Sequence, residues 1–366
     1  MKILIFRTCS VPININSYNV QEIGLAKSII DSGNECGIIF YTKNKKNSVE
    51  KIKYKEHEIP IYWLNGFNFF HHGIYDYKTI KEIASNYDIL QCSDYNQFST
   101  YKMLKCSPIP VVIYHGPYRN KFTWKTNIID FIFDFIFLKK IIKIQPMIIA
   151  KSELAATTLL VKGFKNVKVI PVGLDISRFL NSNNDMLCSD KKIMLYIGQI
   201  SKRRSIDFLI DLEKECLKNN LNCKLILIGN GPKKYVKHII NRIKKENLIE
   251  YIEWIKSLSQ EELCKYYNSS TVFLLPSKYE IFGMVLLEAK YFNLPIISTL
   301  NGGSSSIIKS SLDGYIIDNF NVIDWEKKVE KVFKDKKNKQ NFCDTWSDRI
   351  ISFIEIYDIL LSKKEK

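Results

Sequence analysis

Glu280 and Glu288 flank a loop and the start of a helix in the run Pro276-Ser277-Lys278-Tyr279-Glu280-Ile281-Phe282-Gly283-Met284-Val285-Leu286-Leu287-Glu288-Ala289. Ionised carboxylates only accept hydrogen bonds, so two of them in one pocket suit the hydroxyl groups of a sugar. The helix that opens near Gly283 turns its free N–H groups and positive dipole end to the same place, which suits a phosphate. Gly283 has no side chain to hold a ligand away from the backbone. Thr271-Val272-Phe273-Leu274-Leu275 precedes the run and Pro295-Ile296-Ile297-Ser298 follows it, giving the order strand, loop, helix, strand. Open α/β sheets bind ligands at the carboxyl ends of their strands. Two glutamates at this spacing are commonly no more than helix surface; the setting singles these out. Phosphate and hydroxyl groups together suggest a nucleotide sugar.

The elements that must position these residues can be followed along the chain. Lys2–Arg7, Glu35–Tyr41, Tyr87–Gln91, Val111–Tyr114, Met147–Lys151 and Val167–Val172 read as strands, with a helix over Val20–Ser32 ended by Gly33. The second half repeats the alternation: strand Ile193–Ile197, helix Ile206–Asn219, strand Lys224–Ile228, basic helix Lys233–Asn247 and short helix Glu261–Tyr267. Such alternation implies βαβ units and parallel sheets. The fold class expected is α/β, with two doubly wound Rossmann-like domains facing a central cleft. The expected limits are 1–180 for an N-terminal acceptor-side domain, 181–190 for a linker and 191–345 for a donor domain. Asn181-Ser182-Asn183-Asn184-Asp185 has the polar, breaker-rich character of a hinge. Ile350, Phe353, Ile354, Tyr357 and Leu360 give residues 346–366 one buried helical face, expected to pack back on the N-terminal domain.

The bulk numbers narrow the class. At 366 residues and 46% apolar content the chain can build two cores and is not a disordered protein. Its nine cysteines are scattered, with no C-x-x-C pair, which fits reduced thiols in the cytoplasm and argues against a structural zinc. Met1-Lys2-Ile3-Leu4-Ile5-Phe6-Arg7 is too short for a signal-peptide core and reads as the first strand. A net charge of +16 fits an anionic partner. No basic helix is aimed at a groove and the aromatics sit in apolar runs, so a membrane surface ranks above nucleic acid, which is not expected as a partner.

With these motifs in order, the sequence resembles the retaining glycosyltransferases of the GT-B fold, specifically glycosyltransferase family 4 (glycosyl transferases group 1), over nearly its whole length. Pro276–Ala289 matches the family's Pro-Ser-x-x-Glu-Gly-Phe-Gly-x-x-x-x-Glu-Ala run. Ile228-Gly229-Asn230-Gly231-Pro232, Pro171-Val172-Gly173-Leu174-Asp175-Ile176-Ser177-Arg178-Phe179 and His115-Gly116 match three others. Each is weak alone; their order and spacing are specific. The resemblance implies that Gly198-Gln199-Ile200-Ser201-Lys202-Arg203-Arg204-Ser205 grips the donor diphosphate, with Arg204 in the place of the family's lysine. Gln199 stands where the family has arginine, leaving Lys202 or Arg203 to supply the second cation. It further implies that Glu280 binds the donor sugar near its reacting carbon, that Glu288 binds the ribose, and that His115 lies over the sugar. On its own residues His115 reads as a satisfied strand-end histidine. Ile281, Phe282, Gly283, Gly229 and Ser257 complete the implied donor contacts.

Five further positions depart from the family pattern. Asn16-Ser17 replaces a glycine pair, Ile281 and Lys256 replace glycines, and Ser306 stands where glutamate is common. The resemblance implies retention of anomeric configuration by same-face attack, without an assigned nucleophile. No Asp-x-Asp metal motif lies in a suitable loop, so neither a metal nor a cofactor is expected beyond a nucleotide-sugar co-substrate, expected to be UDP-linked. The expected function is transfer of that sugar to a saccharide or lipid-linked acceptor in bacterial surface polysaccharide or glycolipid synthesis. The alternatives are a nucleotide-sugar 2-epimerase of the same fold and a non-catalytic nucleotide-sugar-binding partner.

Two readings stand for Trp124–Ile144. Asp130, Asp134 and its lysines exclude a membrane span. Lys121, Lys125, Lys139 and Lys143 fall on one side of a continuous helix, beside Phe, Ile and Leu, which suits an anionic membrane interface and a peripheral location on the inner membrane face. The other reading is a buried helix with solvated ends. The lysines of the helix starting at Lys233 read as solvated surface. Acceptor choice is assigned to loops at Ser10–Asn19 and Gly66–Tyr77, whose Phe67, Phe69, Phe70, Tyr75 and Tyr77 can stack on sugars or pack locally.

Overall fold

Runs such as Ile3-Leu4-Ile5-Phe6 and Val272-Phe273-Leu274-Leu275 are apolar on both faces, as strands covered on both sides by helices must be. The computed structural model describes residues 1–15, 20–44, 46–69, 72–120, 124–179, 187–335 and 342–362. The expectations placed on Asn16-Ser17, Phe70, Lys121 and the linker at 181–185 lie outside the described residues, as does the side chain of Lys125. The chain divides into one unit of Met1–Asp175 with Asp344–Lys366, and a second of Ile176–Cys343. The first crossing falls at Asp175 instead of at 180.

The first unit carries β1 (Lys2–Phe6), β2 (Glu35–Thr42), β3 (Ser48–Tyr54), β4 (His57–Phe69), β5 (His72–Tyr75), β6 (Ile89–Ser93), β7 (Val111–His115), β8 (Met147–Ala150) and β9 (Val167–Val169). Their order is β3-β4-β2-β1-β6-β7-β8-β9, with β5 on β4. Pairing is parallel from β4 through β9, while β3 and β5 run antiparallel to β4. This corrects the sequence reading of Gly66–Tyr77 as a loop. Gly66 to Phe69 pair with Tyr75 to His72 in an antiparallel ribbon, leaving Phe67 and Phe69 exposed and Tyr75 in the core. Helix Trp346–Ser362 completes this unit. Tyr357 donates to the Gln91 side chain at 2.7 Å, and Phe353 meets Tyr114 edge-on at 5.3 Å. Gly24 and Gly173 accommodate Trp346, since a Cβ on either would come within 2.5 Å of it.

The second unit carries β10 (Lys192–Ile197), β11 (Cys223–Ile228), β12 (Ile252–Ile255), β13 (Val272–Leu275), β14 (Ile296–Ser298) and β15 (Gly314–Ile316). All pairs are parallel, in the order β12-β11-β10-β13-β14-β15. The order reverses between β10 and β13, the point where a doubly wound sheet opens a crevice for ligands. Strand β12 escapes a sequence reading because Glu253 interrupts a run of only four residues.

Candidate functional site

Four loops leave the carboxyl ends of β10, β11, β13 and β14, and glycines let their backbones touch. Gly229 has φ +144°, and a Cβ there would lie 1.9 Å from the Gly198 carbonyl oxygen. A Cβ on Gly231 would meet the Ile200 carbonyl oxygen at 1.9 Å, and one on Gly303 the Phe282 carbonyl oxygen at 1.6 Å. The loop after β14 is held by Asn301, whose Oδ1 accepts from the N–H groups of Gly303 (3.1 Å) and Ser304 (2.9 Å). The Asn301 amide donates in turn to the Ser298 hydroxyl and the Thr299 carbonyl, both at 3.0 Å. Gly302 N–H then donates to the Glu280 carbonyl at 3.2 Å, which fixes the β13 loop from one side.

Arg204 fixes it from the other. Its Nη2 lies 2.7 Å from Glu280 Oε2, with both side chains largely buried. Arg203 Nη1 lies 3.5 Å from the same oxygen and also donates to the Tyr279 carbonyl, while the Lys278 N–H donates to the Arg203 carbonyl at 2.9 Å. Of the two candidates for a second cation, Arg203 is therefore the one that reaches Glu280. Lys202 and Gln199 are exposed on the same loop, where Gln199 contributes its carbonyl to the Tyr196 hydroxyl at 2.8 Å. Phe282 is buried, Ile281 is turned towards solvent, and Ser257 is exposed beyond β12. Gly283 takes the left-handed conformation, φ +80°, as the N-cap of helix Met284–Tyr291. The first N–H groups of that helix have no intrahelical partner and lie next to the Glu280 loop.

Glu288 sits on this helix at 0% exposure. The Tyr267 hydroxyl donates to its Oε2 at 2.8 Å, and its Oε1 has no hydrogen-bond partner among the described residues. Burial pushes its pKa up to about 7, against the opposing pull of the Tyr267 bond. Nothing in the sequence flags Tyr267 as its partner; the two meet only because two helices pack together.

In the first unit the polar groups gather where β1, β6, β7 and β8 end. His115, expected over a donor sugar, is only 1% exposed. Its Nδ1 lies 3.2 Å from Asp94 Oδ1 and its ring packs on Tyr95 at 4.9 Å, so within this unit the imidazole is turned inwards. Asp94 also accepts from the Gly116 N–H at 2.9 Å. Burial works to raise the Asp94 pKa, but His115, Lys151 and the Gly116 N–H outweigh it and hold the carboxyl below its ordinary value. Lys151 lies over the Tyr114 ring at 4.6 Å, and Arg7 reaches Glu22 at 3.6 Å. Asp94 is the residue the sequence does not reveal: its φ of +50° is the only signal, and that belongs to the fold.

Among the described residues no group of three His, Cys, Asp or Glu side chains is placed to hold a metal, and no helix is long and apolar enough to cross a membrane.

The family model of glycosyl transferases group 1 matches residues 181–345. The chain is similar to the amylovoran biosynthesis glycosyltransferase AmsD of Erwinia amylovora, at 32% identity over 160 residues, 42% of each protein. It spans less than half the length of the two curated relatives compared first, 43% and 42%. Its fold is similar to that of sucrose-phosphate synthase from Thermosynechococcus elongatus, with TM-score 0.68 and 15% identity over 98% of this chain and 94% of that one. It is similar too to HepE of Anabaena, solved in complex with UDP and glucose, with TM-score 0.66 and 15% identity over 100% and 98%. The architecture is thus GT-B, and residues 181–345 match the glycosyl transferases group 1 model.

Proposed function

We propose that this protein is a retaining, metal-independent glycosyltransferase. It moves a sugar from a UDP-linked donor to a saccharide or lipid-linked acceptor in cell-surface polysaccharide or glycolipid synthesis. The observation that carries the reading is the Arg204–Glu280 pair at the mouth of the second unit's sheet, beside the opening turn of helix Met284–Tyr291. The UDP bound in HepE supports the choice of base, and the similarity to AmsD supports the polysaccharide pathway.

In this reaction the bond from the anomeric carbon to the diphosphate oxygen breaks and a bond to the acceptor hydroxyl oxygen forms on the same face. The acceptor's proton passes to the departing phosphate oxygen. Charge grows on that oxygen as the sugar becomes oxocarbenium-like. Arg204 and the first N–H groups of helix Met284–Tyr291 stabilise it from positions set before reaction. Arg203 adds the second positive charge in place of the neutral Gln199. Glu280 binds the donor sugar's hydroxyls while holding Arg204 in line. The partnerless Oε1 of Glu288 accepts a ribose hydroxyl once the donor is seated. His115 acts through position, keeping Asp94 and the Gly116 turn in place on the acceptor side.

The test is a thermal-shift series with UDP, ADP, GDP and their sugars, followed by assay of donor consumption with and without oligosaccharide acceptors. A ligand at 100 times its Kd stabilises a fold by about 2.7 kcal/mol. Stabilisation by uridine nucleotides, lost in Glu288→Ala, with UDP release that requires acceptor, is the expected result. Donor consumption without acceptor would favour the 2-epimerase, and binding without any turnover the non-catalytic partner.

A further inference from the structure

Helix Trp124–Ile144 in the first unit has a divided surface. An α-helical stretch, Trp124–Phe133, passes through a π-helical turn, Asp134–Leu138, into a second α-helical stretch, Lys139–Ile144. The inner side belongs to the core: Phe133 and Ile141 pack with Tyr95, Ile113, Ile148 and Leu159. Asp134 is buried there, 2.7 Å from Lys162 Nζ and 2.9 Å from the Tyr95 hydroxyl. Asp130 is half-buried and accepts from the Asn96 amide at 2.7 Å.

The outer side is the reverse. From Ile128 onward the exposed residues are Ile128, Phe131, Ile132, Phe135, Ile136, Lys139, Lys140, Lys143 and Ile144, recurring at steps of three and four as one face of a helix does. The five apolar residues from Ile128 to Ile136 are between 47% and 83% exposed. Both acidic residues of the helix are directed inwards, and every charged side chain on the outer stripe is a lysine. The β4–β5 ribbon meets the inner side of the helix through His72, which stacks on Phe133 at 5.6 Å. A row of large apolar side chains in water is costly and marks a surface that something else covers.

We infer that this face docks the protein on an anionic lipid bilayer. The helix lies along the interface with Ile128, Phe131, Ile132, Phe135 and Ile136 in the acyl boundary and Lys139, Lys140 and Lys143 among the phosphates. From Ile128 to Ile144 the stripe is roughly 24 Å long, the length of an interfacial anchor lying flat. The sorting of acids inwards and lysines outwards selects a negatively charged surface over a second copy of this net-basic chain. The buried Asp134–Lys162 pair ties the anchor to the unit's core. Docking is independent of the proposed donor chemistry.

The experiment is co-sedimentation of the full chain with vesicles of phosphatidylcholine, with and without phosphatidylglycerol, together with size-exclusion chromatography of the lipid-free protein. Binding is expected only where phosphatidylglycerol is present, and it should weaken as salt is raised. Replacing Lys139, Lys140 and Lys143 by Ala should weaken partition by about a hundredfold. A Phe131→Ser, Phe135→Ser double variant should lose binding as well. All five positions are exposed, so both variants should keep the wild-type melting temperature, which separates lost docking from lost folding. Equal sedimentation with both vesicle types, or binding unchanged in both variants, would overturn the inference. So would a wild-type dimer that the phenylalanine variant abolishes without any lipid binding.

Discussion

Arg204 Nη2 stands 2.7 Å from Glu280 Oε2, so the cation and the carboxylate of the proposed donor site arrive already paired. Pairing holds the guanidinium in one orientation and leaves its remaining N–H groups free to fork onto phosphate. Arg204→Ala should lower kcat by about 100- to 1,000-fold, the usual cost of one preorganised donor at a developing charge. Arg204→Lys keeps charge but not the fork, and should fall between the two. Glu280→Gln keeps the shape of the loop, so nucleotide-induced thermal stabilisation should persist while turnover falls. Steady-state kinetics alongside thermal shift separates these outcomes.

Glu288 makes stability depend on pH. Its pKa in the folded state is about 7, raised from 4.5 by burial. A raised carboxyl pKa means that the folded state holds the proton longer than the unfolded state does. The contribution is therefore fully present below pH 4.5 and is lost as pH climbs through 7. Over that window the wild type should lose up to about 3 kcal/mol relative to Glu288→Gln, which cannot ionise. Urea melts of both proteins at pH 5 and pH 8 test this; a difference that does not change with pH would refute it.

Gly303 offers a purely steric test. Its backbone is right-handed, yet a Cβ would sit 1.6 Å from the Phe282 carbonyl oxygen. Gly303→Ala must push the β14 loop away from the Glu280 loop, at a cost of about 1–3 kcal/mol. Donor-induced stabilisation should fall with it, since Gly302 N–H would no longer reach the Glu280 carbonyl. Chemical denaturation with and without UDP measures both effects.

Asp134 and Lys162 are each less than a tenth exposed. Lys162→Met should cost up to about 3 kcal/mol, because it leaves the buried carboxylate only the more distant, half-exposed Arg119 at 3.7 Å. The double variant Asp134→Leu, Lys162→Met should recover most of that loss. A double-mutant cycle from urea melts reads the coupling directly.

Much of this fold is legible in the sequence because its parallel strands are short apolar runs closed by Gly, Asn or Pro. The segment from Ser48 to Tyr75 is not. β3 lies at the sheet edge with hardly a buried residue, so its side chains carry no alternation, and Pro60 in β4 reads as a break. In the structure Pro60 lies opposite Lys51 and the strand continues. At the candidate site, Glu280, Glu288 and Arg204 can be found from the strand–loop–helix order around them. Tyr267, Asp94 and Asn301 cannot, because each gains its place only when distant segments meet. The helix from Trp124 was open between two readings for a similar reason: composition shows amphipathicity, but burial alone says which acids turn in and which lysines turn out.

The two chain crossings of the second unit are held side by side. Leu174 N–H donates to the Asp344 carbonyl at 2.9 Å, and Leu174 bridges to Thr345. Ile176–Cys343 is accordingly a cassette spliced into the first unit, with its entrance and exit within one hydrogen bond of each other. Such a cassette can be cut out and its ends rejoined by a short linker, or exchanged for another of the same kind, without stretching the host's backbone. A site carried by such a cassette is transplantable: a graft at these two seams would bring a new set of strand-end loops and leave the first unit's core and its buried Trp346 as they were.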